Sequence, residues 1–271
     1  MAYFEVVKRD NRSRGMRNLS AHNVSVRFGG VTALADVHLD IQEKSIVGLI
    51  GPNGAGKTTF FNCISSFQNY SGMIKYGDKD LRKYPPHAII KLGIARTFQN
   101  INLFKEQTTL DNILIGAHKR LKNPFPAMLS LPGALKRERA SRKRAEEIAE
   151  MLGLRAGLDV PVKNLPYGLQ KRVEMARALA SGPNLILLDE PVAGCNEEET
   201  DELVEIIKYL NQELKVTILL VEHDMSMVMR VCHYIYVLNF GKNLDGGTPE
   251  EIQCNPEVIA AYLGEDDAPN T

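Results

Sequence analysis

At 271 residues, 44% hydrophobic and 24% charged, the chain is long enough for one large globular unit or for a core with an attached lobe. Lys plus Arg and Asp plus Glu balance at 33 each, so no global field singles out nucleic acid or a membrane surface as a partner. No apolar run approaches the roughly 18 residues of a spanning helix, and the start of the chain lacks the apolar segment and cleavage site of a signal peptide.

Residues 1–16 read as a polar extension, mixing Lys8, Arg9, Arg12 and Arg14 with Glu5 and Asp10. From Leu19 to Ile41 the pattern alternates: Val24, Val26 and Phe28 on one strand, then Val37, Leu39 and Ile41 on a second, with Gly29-Gly30 as the turn. Met73–Tyr76 reads as a further short strand, so an antiparallel sheet is expected here. Periodicity alone assigns Phe28 to the core. Ile46–Ile50 is an apolar run short enough for a buried strand, and Thr58 to Phe67 can form a helix. Between them stands Gly51-Pro52-Asn53-Gly54-Ala55-Gly56-Lys57-Thr58-Thr59, which fits G-x-x-x-x-G-K-[ST] in the strand–loop–helix context that motif requires. Its backbone N–H groups and the helix start suit a triphosphate. Lys57 is placed to reach the β- and γ-phosphates and the Thr58 hydroxyl to bind Mg²⁺. A nucleoside triphosphate ligand follows.

The segment from Thr108 to Leu152 changes character. A helix at Thr109–Gly116 is followed by cations at Lys119–Lys122 and by breaks at Asn123–Pro126 and Leu131–Gly133. A second helix, Leu135–Leu152, places Ala145, Ile148, Ala149 and Leu152 at helical spacing. Its cations, Lys136 to Arg144, interleave with Glu138, Glu146 and Glu147, which favours a solvated face over a nucleic-acid contact. These elements are expected to form a helical insertion. Next come apolar strands at Leu185–Leu188 and Val216–Val221 around an amphipathic helix carrying Leu203, Ile206, Ile207, Leu210 and Leu214, then a strand at Ile235–Leu238. Continuous apolar strands around a helix predict a parallel sheet covered on both faces. Asp189 and Glu190 follow the first strand at the edge where open parallel sheets bind ligands. Asp189 is expected to hold Mg²⁺ and Glu190 to orient or deprotonate a water. His223 ends the next strand at the same edge, a position suited to a γ-phosphate contact. Cys63, Cys195, Cys232 and Cys254 are scattered with no C-x-x-C pair, so reduced thiols are expected.

In this order the motifs resemble the ATP-binding subunit of ABC transporters, over about Leu19 to Leu263. The resemblance implies an α/β fold: a P-loop NTPase (RecA-like) core with an antiparallel β subdomain and an inserted α-helical subdomain. It implies core segments 17–98 and 164–254, a helical part at about 99–163, a C-terminal helix at 255–264 and a polar tail at 265–271. ATP and Mg²⁺ are the implied cofactors. Phe28 becomes the ring that stacks on adenine, against the periodicity reading. Gln99, in Arg96-Thr97-Phe98-Gln99, becomes the residue that senses Mg²⁺ and the transmembrane partner. Leu165-Pro166-Tyr167-Gly168-Leu169-Gln170 occupies the place of the signature sequence, leading into a helix Lys171–Leu179, and faces the ATP of an opposing subunit. Pro166 and Leu169 depart from the Leu-Ser-Gly-Gly-Gln pattern, and proline offers neither hydroxyl nor N–H. Ala193–Asn196 stands where the family's chains cross the dimer interface.

The resemblance narrows further, through Arg96–Gln99, the insertion, Val221–Met225 and the ending Asn255–Gly264, to the larger ATPase subunit of branched-chain amino acid importers. Implied partners are transmembrane permease subunits and a second ATP-binding subunit, a different chain or another copy, with no nucleic acid. The implied place is the cytoplasmic face of the plasma membrane, held peripherally. A related system for urea, another amino acid or lipopolysaccharide is the alternative. Chromosome or repair ATPases with a related head need coiled-coil insertions far longer than this one, and translation factors of the class carry two phosphate loops per chain.

Overall fold

The structure is a computed structural model, and it describes residues 17–98, 102–117 and 132–263. Its centre is a six-stranded sheet in the order β10-β9-β3-β8-β7-β6: β3 Ile46–Ile50, β6 Ile94–Arg96, β7 Leu185–Asp189, β8 Thr217–Val221, β9 Tyr234–Asn239 and β10 Lys242–Gly247. All neighbours pair in parallel except β9 and β10, which form an antiparallel hairpin. A second, antiparallel sheet runs β2-β1-β4-β5: β1 Leu19–Phe28, β2 Val31–Ile41, β4 Ser71–Tyr76 and β5 Lys79–Asp80. The expected α/β architecture with an antiparallel β part is present.

Alternation along the central strands divides the interior in two. Ile186, Leu188, Ile218 and Leu220 face a core shared with the helices α3 Thr109–Ala117, α4 Pro132–Met151, α5 Tyr167–Ala180, α6 Glu197–Gln212 and α7 Met225–Val231. Leu185, Leu187, Leu219 and Val221 face the other core, shared with the antiparallel sheet and with Phe60, Phe61 and Ile64 of α1, Lys57–Ile64. Both faces of β3, β7 and β8 are therefore covered, which is why these strands read as unbroken apolar runs. The short helices α2 Pro86–Leu92, α8 Pro249–Gln253 and α9 Pro256–Leu263 complete the chain.

Several elements depart from the sequence reading. The helix after the glycine loop stops at Ile64, not Phe67. Ser66 takes φ 58°, its N–H bonds the Cys63 carbonyl at 3.1 Å, and the Phe67 N–H bonds that of Asn62 at 2.8 Å. That is a Schellman closure with serine where glycine is usual, so the sequence carries no stop signal. Phe28 keeps the phase of the buried Val24 and Val26, but β1 is ending: Phe28 is 51% exposed and its register partner Val31 68%. The core assignment is wrong for this reason. Helix α5 begins at Tyr167, four residues before the expected Lys171. Pro166 sits at its N-cap with φ −53° and ψ 152°, a conformation that proline's ring favours.

On α4, Ala145, Ile148, Ala149 and Leu152 just beyond its end are buried as expected, and Arg139, Arg142 and Lys143 face solvent. Arg142 pairs with Glu146 at 3.0 Å, whereas Arg144 is buried, contrary to a wholly solvated cationic face. All four cysteines are free thiols, and burial pushes those of Cys63 and Cys232 up to about 12. No helix among the described residues is long and apolar enough to cross a membrane. The cations expected at 119–122, the breaks at 123–126 and 131, the extension 1–16 and the tail 265–271 lie outside the described residues.

Candidate functional site

Three adjacent strands deliver the candidate residues to one edge. Ile50 ends β3 and runs into Gly51. The parallel registers Leu49↔Val221 and Asp189↔Val221 bring Asp189-Glu190 at the end of β7 and Glu222-His223 after β8 to the same level. Between β3 and α1, the glycine loop closes tightly on the rest of the chain. Gly51 has φ 144° and a Cβ there would run into the Leu238 carbonyl. Gly56 has φ 102°, and a Cβ would lie 2.7 Å from the Ala33 carbonyl oxygen and from Leu34 Cδ2. Neither position admits a side chain. Nothing lies within 4 Å of a Cβ built on Gly54, so that side of the loop is open. Pro52 and Ala55 are buried, while Asn53 and Thr58 are exposed and Thr59 is half-buried. Lys57 curls back onto its own loop, Nζ donating to the carbonyls of Gly51 at 2.5 Å and Pro52 at 2.8 Å.

Asp189 is the buried end of β7. Its Oδ2 accepts from Arg96 Nη2 at 2.9 Å, with both side chains less than a tenth exposed. Arg96 also donates to Asn62 Oδ1 at 2.7 Å and lies over the rings of Phe61 and Phe98, 5.5 and 5.0 Å from their centroids. Burial raises the Asp189 pKa and outweighs the hydrogen bond to Arg96, which lowers it; the Lys57 ammonium also lowers it, which places that charge nearby. Glu190 turns off the strand at φ 48°, a left-handed conformation rare outside glycine and asparagine. Its N–H is held by the Val221 carbonyl at 2.9 Å, so the strained turn is over-determined by its neighbours. A cavity of about 10 Å³, room for roughly one water, lies between Asp189, Glu190, Thr97, Lys171 and Glu174.

Beside it, Glu222 is fully buried. Oε1 accepts from the Val192 N–H at 3.0 Å, and Oε2 from the N–H groups of His223 at 2.9 Å and Asp224 at 3.3 Å. The His223 side chain is 64% exposed, with Nδ1 3.6 Å from Glu222 Oε2. The segment expected to act as signature occupies the start of α5. Gln170 bonds back to the Leu165 carbonyl at 2.9 Å, Leu169 packs against the helical core, and Tyr167 stands half exposed. Gly168 is buried against the Glu199 carboxylate, which a Cβ there would displace. Gln99 lies outside the described residues.

The structure thus brings Lys57, Asp189, Glu190 and His223 to one edge and sets Phe28 at an exposed strand end. Sequence reasoning missed Arg96, Lys171, Glu174 and Glu222. Lys171 and Glu174 are buried charges one turn apart on α5; Lys171 Nζ donates to the Glu190 carbonyl at 2.7 Å, and Glu174 accepts from the Phe98 N–H at 3.3 Å. No local pattern marks them, because each is satisfied by a partner on another element. The donor set fits a magnesium-bound nucleotide, since Thr58 and Asp189 offer the hard oxygens that Mg²⁺ takes beside a cation and an open glycine loop.

Comparison with known proteins agrees with this geometry. A family model described as ABC transporter matches residues 34–193, and one described as branched-chain amino acid ATP-binding cassette transporter matches residues 247–268. The chain is 43% identical over 249 residues to the high-affinity branched-chain amino acid transport ATP-binding protein BraF of Pseudomonas aeruginosa, covering 91% of this chain and 98% of that one. Identity and coverage are the same for LivG of Escherichia coli K12. The lipopolysaccharide export system ATP-binding protein LptB of Escherichia coli K12 is 33% identical over 252 residues, 93% of this chain and 99% of that one. Among solved structures, an ATP-binding cassette of an ABC transporter in its ADP conformation superposes with a TM-score of 0.80 at 30% identity, covering 92% and 99% of the two chains. A dimeric cassette bound to ADP and Pi gives 0.71 at 27% identity, covering 85% and 98%.

Proposed function

The chain belongs to the ABC transporter ATP-binding family, and from that premise we propose that it is the ATP-hydrolysing subunit of a branched-chain amino acid importer. The observation that carries the reading is the convergence of the glycine loop, Asp189-Glu190 and His223 at one edge of the parallel sheet. Import of branched-chain amino acids, rather than lipopolysaccharide export, is supported by 43% against 33% identity and by the second family match at the C-terminal end. The working unit spans 17–264, with the helical part 99–163 inserted between core segments 17–98 and 164–254.

Phe28 would stack on the adenine, and Gly51–Thr59 would hold the phosphates of ATP through backbone N–H groups. Lys57 would leave the carbonyls of Gly51 and Pro52 for the β- and γ-phosphates, exchanging neutral acceptors for charged ones. Thr58, Asp189 and Gln99 would hold Mg²⁺, which when bound neutralises charge on the phosphates. Arg96 opposes the burial that raises the Asp189 pKa, through the hydrogen bond to Oδ2. Glu190, turned away from Asp189 by its left-handed backbone, takes the proton of the attacking water, and His223 contacts the γ-phosphate. The wall that excludes water comes from a second subunit, through its own segment equivalent to Leu165–Gln170. That subunit is a different chain or a second copy. Transmembrane permease subunits bind at the groove between core and helical part, keeping this chain on the cytoplasmic face of the membrane. The test is to purify the chain with its membrane partners and measure ATPase activity across candidate solutes. Stimulation by leucine, isoleucine or valine is expected; stimulation by none of them, with lipopolysaccharide active instead, would overturn the substrate assignment.

A further inference from the structure

We propose that Lys171 is a positioning residue that fastens helix α5 to the backbone of Glu190 within the same chain. The helix start offered to the opposing nucleotide and this chain's own catalytic carboxylate would then move as one unit. Lys171 Nζ donates to the Glu190 carbonyl at 2.7 Å and lies 5.5 Å from the centre of the Tyr167 ring, inside the Leu165–Gln170 segment. The lysine is 8% exposed. Burial lowers its pKa, against Cys195 and the carboxylates of Glu222, Glu190 and Glu174, which raise it. Glu222 completes the fastening from the other side: it accepts the Val192 N–H two residues after Glu190 and the N–H of His223. The loop Glu190-Pro191-Val192 is therefore clamped between α5 and the end of β8. A buried ammonium is costly to keep unless something holds it there, and a single carbonyl at the mouth of the glycine-loop site is its hydrogen-bonded anchor. A shift of α5 on meeting a phosphate across the dimer would pass through Lys171 to the Glu190 backbone. This links turnover at one ATP to occupancy of the other signature contact.

The effect on turnover rests on Glu190 acting as proposed above; the fastening itself does not, and it is read without nucleotide. Lys171→Met keeps the length of the side chain but removes both charge and donor; Lys171→Arg keeps both. Native-state amide exchange on the full-length chain should show Glu190 and Val192 exchanging roughly ten-fold faster in Lys171→Met, with β1 and β2 amides unchanged and Lys171→Arg within about three-fold of wild type. Exchange in the loop that stays at the wild-type rate, or that rises equally throughout the chain, overturns the fastening. Should Lys171→Met not fold, Lys171→Gln, which removes the charge and shortens the reach to the Glu190 carbonyl, gives the same reading at Glu190 and Val192. In the chain assembled with its partner subunits, Lys171→Met should lower kcat at least ten-fold while KM for ATP stays within about two-fold. A normal kcat beside a loosened loop overturns the coupling. A wild-type assembly that hydrolyses no ATP, with the exchange pattern intact, sinks the functional reading and leaves the fastening standing.

Discussion

Replacing Arg96 by methionine removes a guanidinium from a place where water cannot substitute for it. The pair Arg96–Asp189 is 2.9 Å long, with side chains 8% and 3% exposed, and Arg96 also holds Asn62 Oδ1 at 2.7 Å. Breaking a buried ion pair from one side costs about 3–5 kcal/mol, because the remaining charge stays buried and uncompensated. Methionine keeps most of the contact with the Phe61 and Phe98 rings, so packing loss is a minor part of that figure. Adding Asp189→Asn takes away the orphaned charge and should recover about 2 kcal/mol of the loss. The assay is urea unfolding followed by far-UV circular dichroism, since the chain has no tryptophan to report by fluorescence. The sign with pH follows from burial, which already raises the Asp189 pKa above its unfolded value. An acid raised in the native state loses stability as pH climbs from its unfolded pKa to its folded one. Removing Arg96 widens that gap, so the deficit should be largest at neutral pH and shrink as pH falls through the mutant's folded Asp189 pKa. A single-mutant loss under about 1 kcal/mol, or a double mutant equal to the sum of both singles, would refute the reasoning.

Lys57→Ala should abolish binding of a labelled ATP analogue, and unchanged affinity in an equilibrium titration would remove the glycine loop from the site. Glu190→Gln should bind ATP normally but hydrolyse it about 10²- to 10⁴-fold more slowly, accumulating an ATP-held dimer on size-exclusion chromatography; near wild-type turnover would dismiss Glu190 as the base. Pro166→Ser with Leu169→Gln restores a hydroxyl where the helix α5 cap makes no side-chain bond. It should raise ATPase activity of the assembled transporter roughly ten- to a hundred-fold at the site that uses this signature. No change there, with both sites turning over equally, would show that backbone donors at Gly168 suffice.

What the sequence made legible was whatever a local pattern can encode. The glycine loop stood out because Gly51 and Gly56 meet the chain's own backbone, and Asp189-Glu190 because four apolar residues of a fully buried strand precede them. Phe28 was misread by periodicity, which reports the phase of a side chain but not where the layer beneath it ends. The Ser66 closure left no glycine to announce it. Lys171, Glu174 and Glu222 were illegible for a different reason: each is explained only by a partner on another element, 19, 76 and 30 residues away along the chain. Long-range polar satisfaction has no period.

The two sheets meet edge to edge, β2 bounding one and β10 the other. Between them the Asn243 amide both donates to and accepts from the His38 backbone, at 2.9 and 2.8 Å, and the Tyr236 hydroxyl does the same for Asp40, at 3.2 and 3.1 Å. Side chains thereby imitate a strand ladder along the β2 margin, which would otherwise recruit a strand from a neighbouring molecule. Crowded against other copies, the chain presents this margin already taken. Asn243→Ala and Tyr236→Phe, innocuous by any count of catalytic groups, would then be expected to show first as self-association.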